Sequence, residues 1–192
     1  MIDQASEVAS FINLSALGIL GVGGLWGFLF GARRQLVNLL LMYAAIIFAF
    51  QHCAAAADIL NLIFPEVDHL TLEGVAALGT GLFGYVFLLA LSLWAYGAPT
   101  QLSGCAAHAS EKLGGAIIGL LQGWIVIVLL GITAAPLLDY LLVSDPNEWQ
   151  YLVTEVATTS TWRVISYSTS ILVPLVRPWL LGPSLGLLVG WE

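Results

Sequence analysis

Four stretches of this chain carry no Lys, Arg, Asp or Glu: residues 11–32, 35–57, 74–110 and 113–138. Each holds an apolar run close to or above the roughly 20 residues a helix needs to cross a hydrocarbon core about 30 Å thick. A water-soluble helix shows the solvent a polar face, and these stretches have none to show. The pattern predicts an all-α integral membrane protein with four transmembrane helices, over about residues 11–30, 36–57, 75–96 and 115–138. Together with a tail over 139–192 they make a single membrane domain.

The tail has a different pattern. In SDPNEW, Asp145 suits a helix cap, Pro146 the first helical position, and Glu148 stands three after the cap. Trp149, Leu152, Val153 and Val156 then share one face, with Gln150, Thr154 and Glu155 elsewhere. Residues 146 to about 168 are therefore expected to form an amphipathic helix lying in the membrane interface. The last apolar run, 171–191, is long enough to span but contains Pro174, Pro178, Pro183 and a central Arg177. Prolines remove backbone donors that lipid cannot replace. A Pro-broken segment at the interface, or buried against a partner, is expected rather than a fifth span.

Composition agrees with a bilayer as the main solvent: 59% of residues are hydrophobic, 9% are charged, and mean hydropathy is +0.95. A soluble domain carries about a quarter charged residues. A net charge of -7 with only five basic residues excludes a nucleic-acid partner, because no basic patch exists to neutralise phosphates. The basic residues set the orientation instead. Arg33 and Arg34 fall between spans one and two, and Lys112 falls between spans three and four. The N-terminal tail and the 58–73 connection have no basic residue. Both termini are expected outside, with Arg33, Arg34 and Lys112 in the cytoplasm; Arg163 and Arg177 run against this scheme. The N-terminus lacks the positive region of a cleavable signal, so span one reads as an uncleaved anchor. Cys53 and Cys105 fall near opposite membrane faces and do not form a disulfide framework.

Glycine has its own spacing. Gly23, Gly27 and Gly31 recur every four residues in span one, and Gly115, Gly119 and Gly123 do the same in span four, with Gly131 further on. On a helix each set makes a bare ridge that another backbone can approach closely. Frequent glycine in membrane helices is the competing explanation. The ridges are expected to be helix-packing positions, within the chain or between chains, and their shared spacing hints at a two-plus-two repeat.

Candidate chemistry is sparse. Ion-coupled carriers show buried ionisable residues within spans, and none of the four spans contains one. Gln122 is the best polar candidate and is expected to make a structural hydrogen bond to another helix. Gln35 and Gln51 fall near span ends, where water or headgroups can reach them. Glu66, Asp68, His69 and Glu73 are a candidate set for a divalent cation, with His69 and Glu73 on one helical face. Their spacing matches no established site, and a solvated acidic connection is the plainer reading. Cys105 and His108 lack the second pair a zinc site needs. His52, at the end of span two, is the candidate cofactor-binding residue, as an axial ligand for a haem or chlorin; no cofactor is expected. Ser, His and Asp occur in no catalytic context.

Two segments resemble the colicin V production proteins, a family of small four-span membrane proteins. GFLFGARRQLVNLL is similar to the glycine–arginine stretch that joins the family's first two spans. LSGCAAHASEKLGGAIIGLLQGWIVIVLL resembles the segment leading into its fourth span, with Gly115, Gly119 and Gly123 on the glycine pattern. Lys112 and Gln122 stand where the family usually has arginine. The resemblance implies a bacterial inner-membrane protein connected with toxin export or envelope homeostasis, without a defined reaction. The expected function is thus a non-enzymatic membrane scaffold or export-associated module. Its partners are the lipid bilayer and other membrane proteins or further copies of itself, engaged through the ridges and the tail. The rival is an accessory subunit of a respiratory or photosynthetic complex in a bioenergetic membrane, which seven tryptophans and the proline-broken tail fit. A small pore or carrier is disfavoured by the lack of intramembrane charge.

Overall fold

A computed structural model describes residues 2–96, 109–144 and 146–176 of the chain. The protein is an all-α, multi-pass membrane protein whose order is α1 (Ile2–Phe30), α2 (Ala32–Ile63), α3 (His69–Tyr96), α4 (Ala109–Ser144), α5 (Pro146–Thr158) and α6 (Ser160–Val176). Four of these, α1 to α4, are long and apolar enough to cross a membrane. Helix is the form these segments must take, because lipid offers no partner to an unpaired backbone group.

The helices outrun the apolar windows, and this changes the connections. α1 and α2 are separated by Gly31 alone, at φ 78° and ψ 167°. That region is open to glycine and closed to side-chain-bearing residues. The chain reverses there while still hydrogen-bonded: the Gly31 N–H donates to the Gly27 carbonyl, and the Gln35 N–H to the Gly31 carbonyl. Arg33 and Arg34 consequently lie in the first turn of α2 rather than in a loop, and Lys112 lies in the first turn of α4. The second connection is short. The Phe64 N–H donates to the Leu60 carbonyl, and Asp68 starts α3 by accepting the Leu70 N–H at 3.1 Å.

α4 is the organising element and touches all five other helices. α1 lies along it through glycine, and α2 and α3 pack as a pair. Two apolar clusters fill the interior. One joins Met42, Ile46 and Phe50 to Tyr85 of α3, Ile125 and Leu129 of α4, and Leu172 and Val173 of α6. The other joins Cys53 and Ala57 to Leu72, Ala76 and Ala77, and its small cysteine and alanine side chains let α2 and α3 close up toward their shared turn.

The tail departs from the sequence expectation. Residues 146–168 form two helices rather than one. Thr159 makes the break: its hydroxyl accepts the Trp162 N–H at 3.1 Å and so caps α6. α5 keeps Val156 inward and Gln150 and Thr154 exposed, as its pattern predicts. α6 then runs back along α4. Thr161 meets Asn13 of α1, Ile165 covers Gly131, and Leu172 and Val173 reach Ile125 and Leu129. Its inward stripe of Ile165, Ser168, Thr169, Leu172 and Val173 is what draws it between the spans. The Ser168 and Thr169 hydroxyls are satisfied on the helix itself, by the Val164 and Ile165 carbonyls. Pro174 lies inside α6. The cap residue Asp145, the Glu148 side chain and the remainder of the proline-broken segment, from Arg177 on, lie outside the described residues, as do Cys105 and His108.

Candidate functional site

The two glycine ridges face each other within one chain. A Cβ placed on Gly23 would stand 2.5 Å from the Gly119 carbonyl oxygen. One on Gly27 would overlap the Gly115 carbonyl, and one on Gly119 the Gly23 carbonyl. A Cβ on Gly115 would be 2.8 Å from the Gly31 Cα, and one on Gly123 would be 3.1 Å from the Ile19 carbonyl oxygen. The seam is therefore backbone against backbone over three helical turns. Gly31 both ends the seam and makes the turn into α2.

A polar junction lies one turn from the end of this seam. Gln122 of α4 donates from Nε2 to the Gln35 backbone carbonyl of α2 at 3.0 Å. Gln35 is 0% exposed, and Asn38, one turn further along α2, is also buried. Neither Oε1 nor Nε2 of Gln35 has a hydrogen-bond partner among the described residues. This corrects the reading of Gln35 as a span-end residue in reach of water or headgroups. α2 starts at Ala32, so Gln35 is already within the helix and on its inward stripe. That stripe, Gln35, Asn38, Met42, Ala45, Ala49, Cys53 and Ala57, follows the helical period. The period was the signal that could have found Gln35. Gln51 is exposed.

The basic end of the bundle gathers Arg33, Arg34 and Lys112. The Arg34 guanidinium lies 4.9 Å from the centre of the Phe30 ring, and the Lys112 ammonium 5.6 Å from that of Phe28. Both cations thus rest on aromatic faces of α1. Glu111 stands in the first turn of α4, against Gly31.

The opposite end holds the acidic residues. His69 Nε2 lies 3.2 Å from Asp58 Oδ1, and its Nδ1 lies 3.4 Å from Glu73 Oε1. His69 thus ties α2 to the first turn of α3. Asp58 was not singled out in the sequence, because its partner lies across the turn. Asp68 caps α3 instead of joining the group, and Glu66 is exposed. The four candidates Glu66, Asp68, His69 and Glu73 are not brought together. No group of three or more His, Cys, Asp or Glu among the described residues is placed to hold a metal ion. His52 is exposed, stacks on Phe48 with ring centres 4.3 Å apart, and places Nδ1 2.9 Å from the Phe48 carbonyl. Its ring is thereby fixed along its own helix.

Chemically this arrangement packs and orients helices. The chain matches no protein-family model, no curated protein and no solved structure.

Proposed function

We propose that this protein is a non-enzymatic scaffold of a bacterial inner membrane, in the export- or envelope-associated role that the resemblance to colicin V production proteins implies. The observation that supports it is the α1–α4 seam. Touching backbones make a stiff body, and because the ridges occupy each other, they leave other surfaces for partners. The outer face of α1 is one such surface: Phe11, Leu14, Leu17, Val22 and Leu25 are each about two-thirds exposed, at 70, 69, 65, 65 and 67%. Both termini face outside, and Arg33, Arg34 and Lys112 face the cytoplasm.

A second reading, an accessory subunit of a larger membrane complex, draws on the same helix. Among the described residues, α1 contributes no hydrophobic side chain to the buried core. Such a helix suits the edge of an assembly.

The test is a photo-reactive residue at position 17, with position 46 in the core as control. Cross-linking from position 17 to a few discrete proteins, followed by their identification, is the expected result. A respiratory or photosynthetic set would move the assignment to the second reading. Lipid adducts alone from both α1 and the tail would overturn the scaffold reading. Orientation is tested separately by single-cysteine labelling, with Cys53 and Cys105 first replaced by Ala. Position 68 should label from outside and position 34 only after permeabilisation.

A further inference from the structure

The Gln35 carboxamide is the one buried side chain whose N and O atoms both lack a partner among the described residues. It has two N–H donors and an acceptor oxygen, and buried groups of this kind are bonded almost without exception. The site around it is specific. Gln122 reaches in from α4 to the Gln35 carbonyl at 3.0 Å, Asn38 adds a second amide from α2, and the Gly31 carbonyl accepts the Gln35 N–H at 3.2 Å. Gln35 and Asn38 thus share the inward stripe of α2 that Gln122 of α4 reaches, beside the glycine seam.

We propose that this junction is an internal hydration site, in which Gln35 binds buried water between α2 and α4 inside the bundle. Three observations select water over other ligands. Gln35 is 0% exposed, so a lipid headgroup or a partner protein does not reach it. Gln122 of α4 bonds the Gln35 carbonyl of α2 directly at 3.0 Å, so the two helices stand close there and a small ligand is favoured. The amides are neutral, so nothing there recognises an ion by charge. Water needs two to four polar partners, and carboxamides supply both donors and acceptors. A polar group that would otherwise be forsaken in hydrocarbon becomes a wet joint between two spans.

The experiment is water-edited solid-state NMR on the full-length, ¹⁵N-labelled protein in phosphatidylcholine–phosphatidylglycerol bilayers. The Gln35 side-chain signal is identified by its loss in Gln35→Met. Should that variant fail to fold, the Arg34–Gln35 pair, which occurs once in the sequence, gives the assignment by selective labelling. The expected result is that the Gln35 Nε2 signal builds up from water as fast as that of exposed Asn61. It should build up several-fold faster than the backbone amide of Val128, which is 0% exposed. Build-up as slow as that of Val128, or a direct bond from the Gln35 amide to a protein carbonyl, overturns the proposal.

Discussion

Placing a single methyl group on the α1–α4 seam should separate two backbones. In Gly119→Ala the new Cβ overlaps the Gly23 carbonyl oxygen and stands 3.0 Å from the Gly27 Cα. Carbon atoms rest at about 3.5–4.0 Å, so the helices must part locally by about 0.5–1 Å, a gap that forfeits a quarter to a half of each contact's well depth. The obstacle is main chain on both sides, so no side chain can rotate away. In lipid no hydrophobic term restores the contact, since acyl chains are as apolar as the helix. Overpacking of this kind costs about 1–3 kcal/mol. Gly119→Leu should reach the upper end, and Gly27→Ala should match Gly119→Ala, because its Cβ meets the Gly115 carbonyl carbon at 2.7 Å.

The same substitution elsewhere should do the opposite. Gly18 and Gly79 have nothing within 4 Å of a built Cβ. Alanine exceeds glycine in helix propensity by about 0.8–1 kcal/mol in water. Gly18→Ala and Gly79→Ala should therefore be neutral or stabilising by up to that amount. The assay is reversible unfolding in mixed micelles, followed by circular dichroism at two protein concentrations. Because the seam is intramolecular, the loss at Gly119 should not depend on concentration. Equal stability of the Gly119, Gly27 and Gly18 alanine variants would refute the seam. A loss that vanishes at high protein concentration would move it between chains.

Four further outcomes are expected. Gly31→Ala should cost about 1–3 kcal/mol in the same assay, because φ 78° with ψ 167° is a glycine conformation; an unchanged midpoint would mean the α1–α2 turn is not as described. Thr71→Val should cost about 0.5–1.5 kcal/mol, since its hydroxyl donates across helices to the Pro136 carbonyl at 3.2 Å. Thr80→Val should cost almost nothing, since its hydroxyl donates at 2.7 Å to Ala76 of its own helix, so equal effects would sink the distinction. Asn13→Leu removes the acceptor of both the Thr161 N–H and its hydroxyl. Amide exchange at 161–165 should then rise about five-fold, as a loss of about 1 kcal/mol implies, while exchange in α2 stays fixed.

The four spans were legible in the sequence because charge-free length is a direct property of the chain and the bilayer thickness is a constant. The ridges were legible as ridges for the same reason, since a four-residue period needs only a helix. Their partner was not. Gly27 meets Gly115 only because α1 and α4 are neighbours, and no residue type records that adjacency. Gln35 was misplaced by a single assumption, that basic residues mark a loop. Arg33 and Arg34 are helical, which shifts the inward stripe to include Gln35 and Asn38. The descent of α6 was hidden by its hydroxyls. Ser166, Ser168 and Thr169 are polar by residue type, yet each donates to a carbonyl four residues back in its own helix. A hydroxyl satisfied in this way costs little in an apolar surrounding. Polarity counted by residue type therefore overstates how wet this helix is.

The position of the cations carries the reading furthest. Arg33, Arg34 and Lys112 all lie in the first turns of helices. The helix dipole disfavours positive charge there by about 0.3–1 kcal/mol in exposed settings. α2 has no acidic residue in its first turn to offset this, and α4 has only Glu111. Local helix energetics would place these residues at the other ends. Their gathering at one end of the bundle, with Arg34 and Lys112 resting on Phe30 and Phe28 of α1, is better explained by the membrane than by the helices. Basic residues at the cytoplasmic surface fix topology, and aromatic rings anchor at the same level. The acidic end obeys local rules: Asp68 caps α3, and His69 joins Asp58 to Glu73. One end of the molecule is built for the bilayer at a cost to its helices, and the other for the helices themselves. That asymmetry is the physical ground for the proposed orientation, and it rests on residues whose side can be measured one at a time.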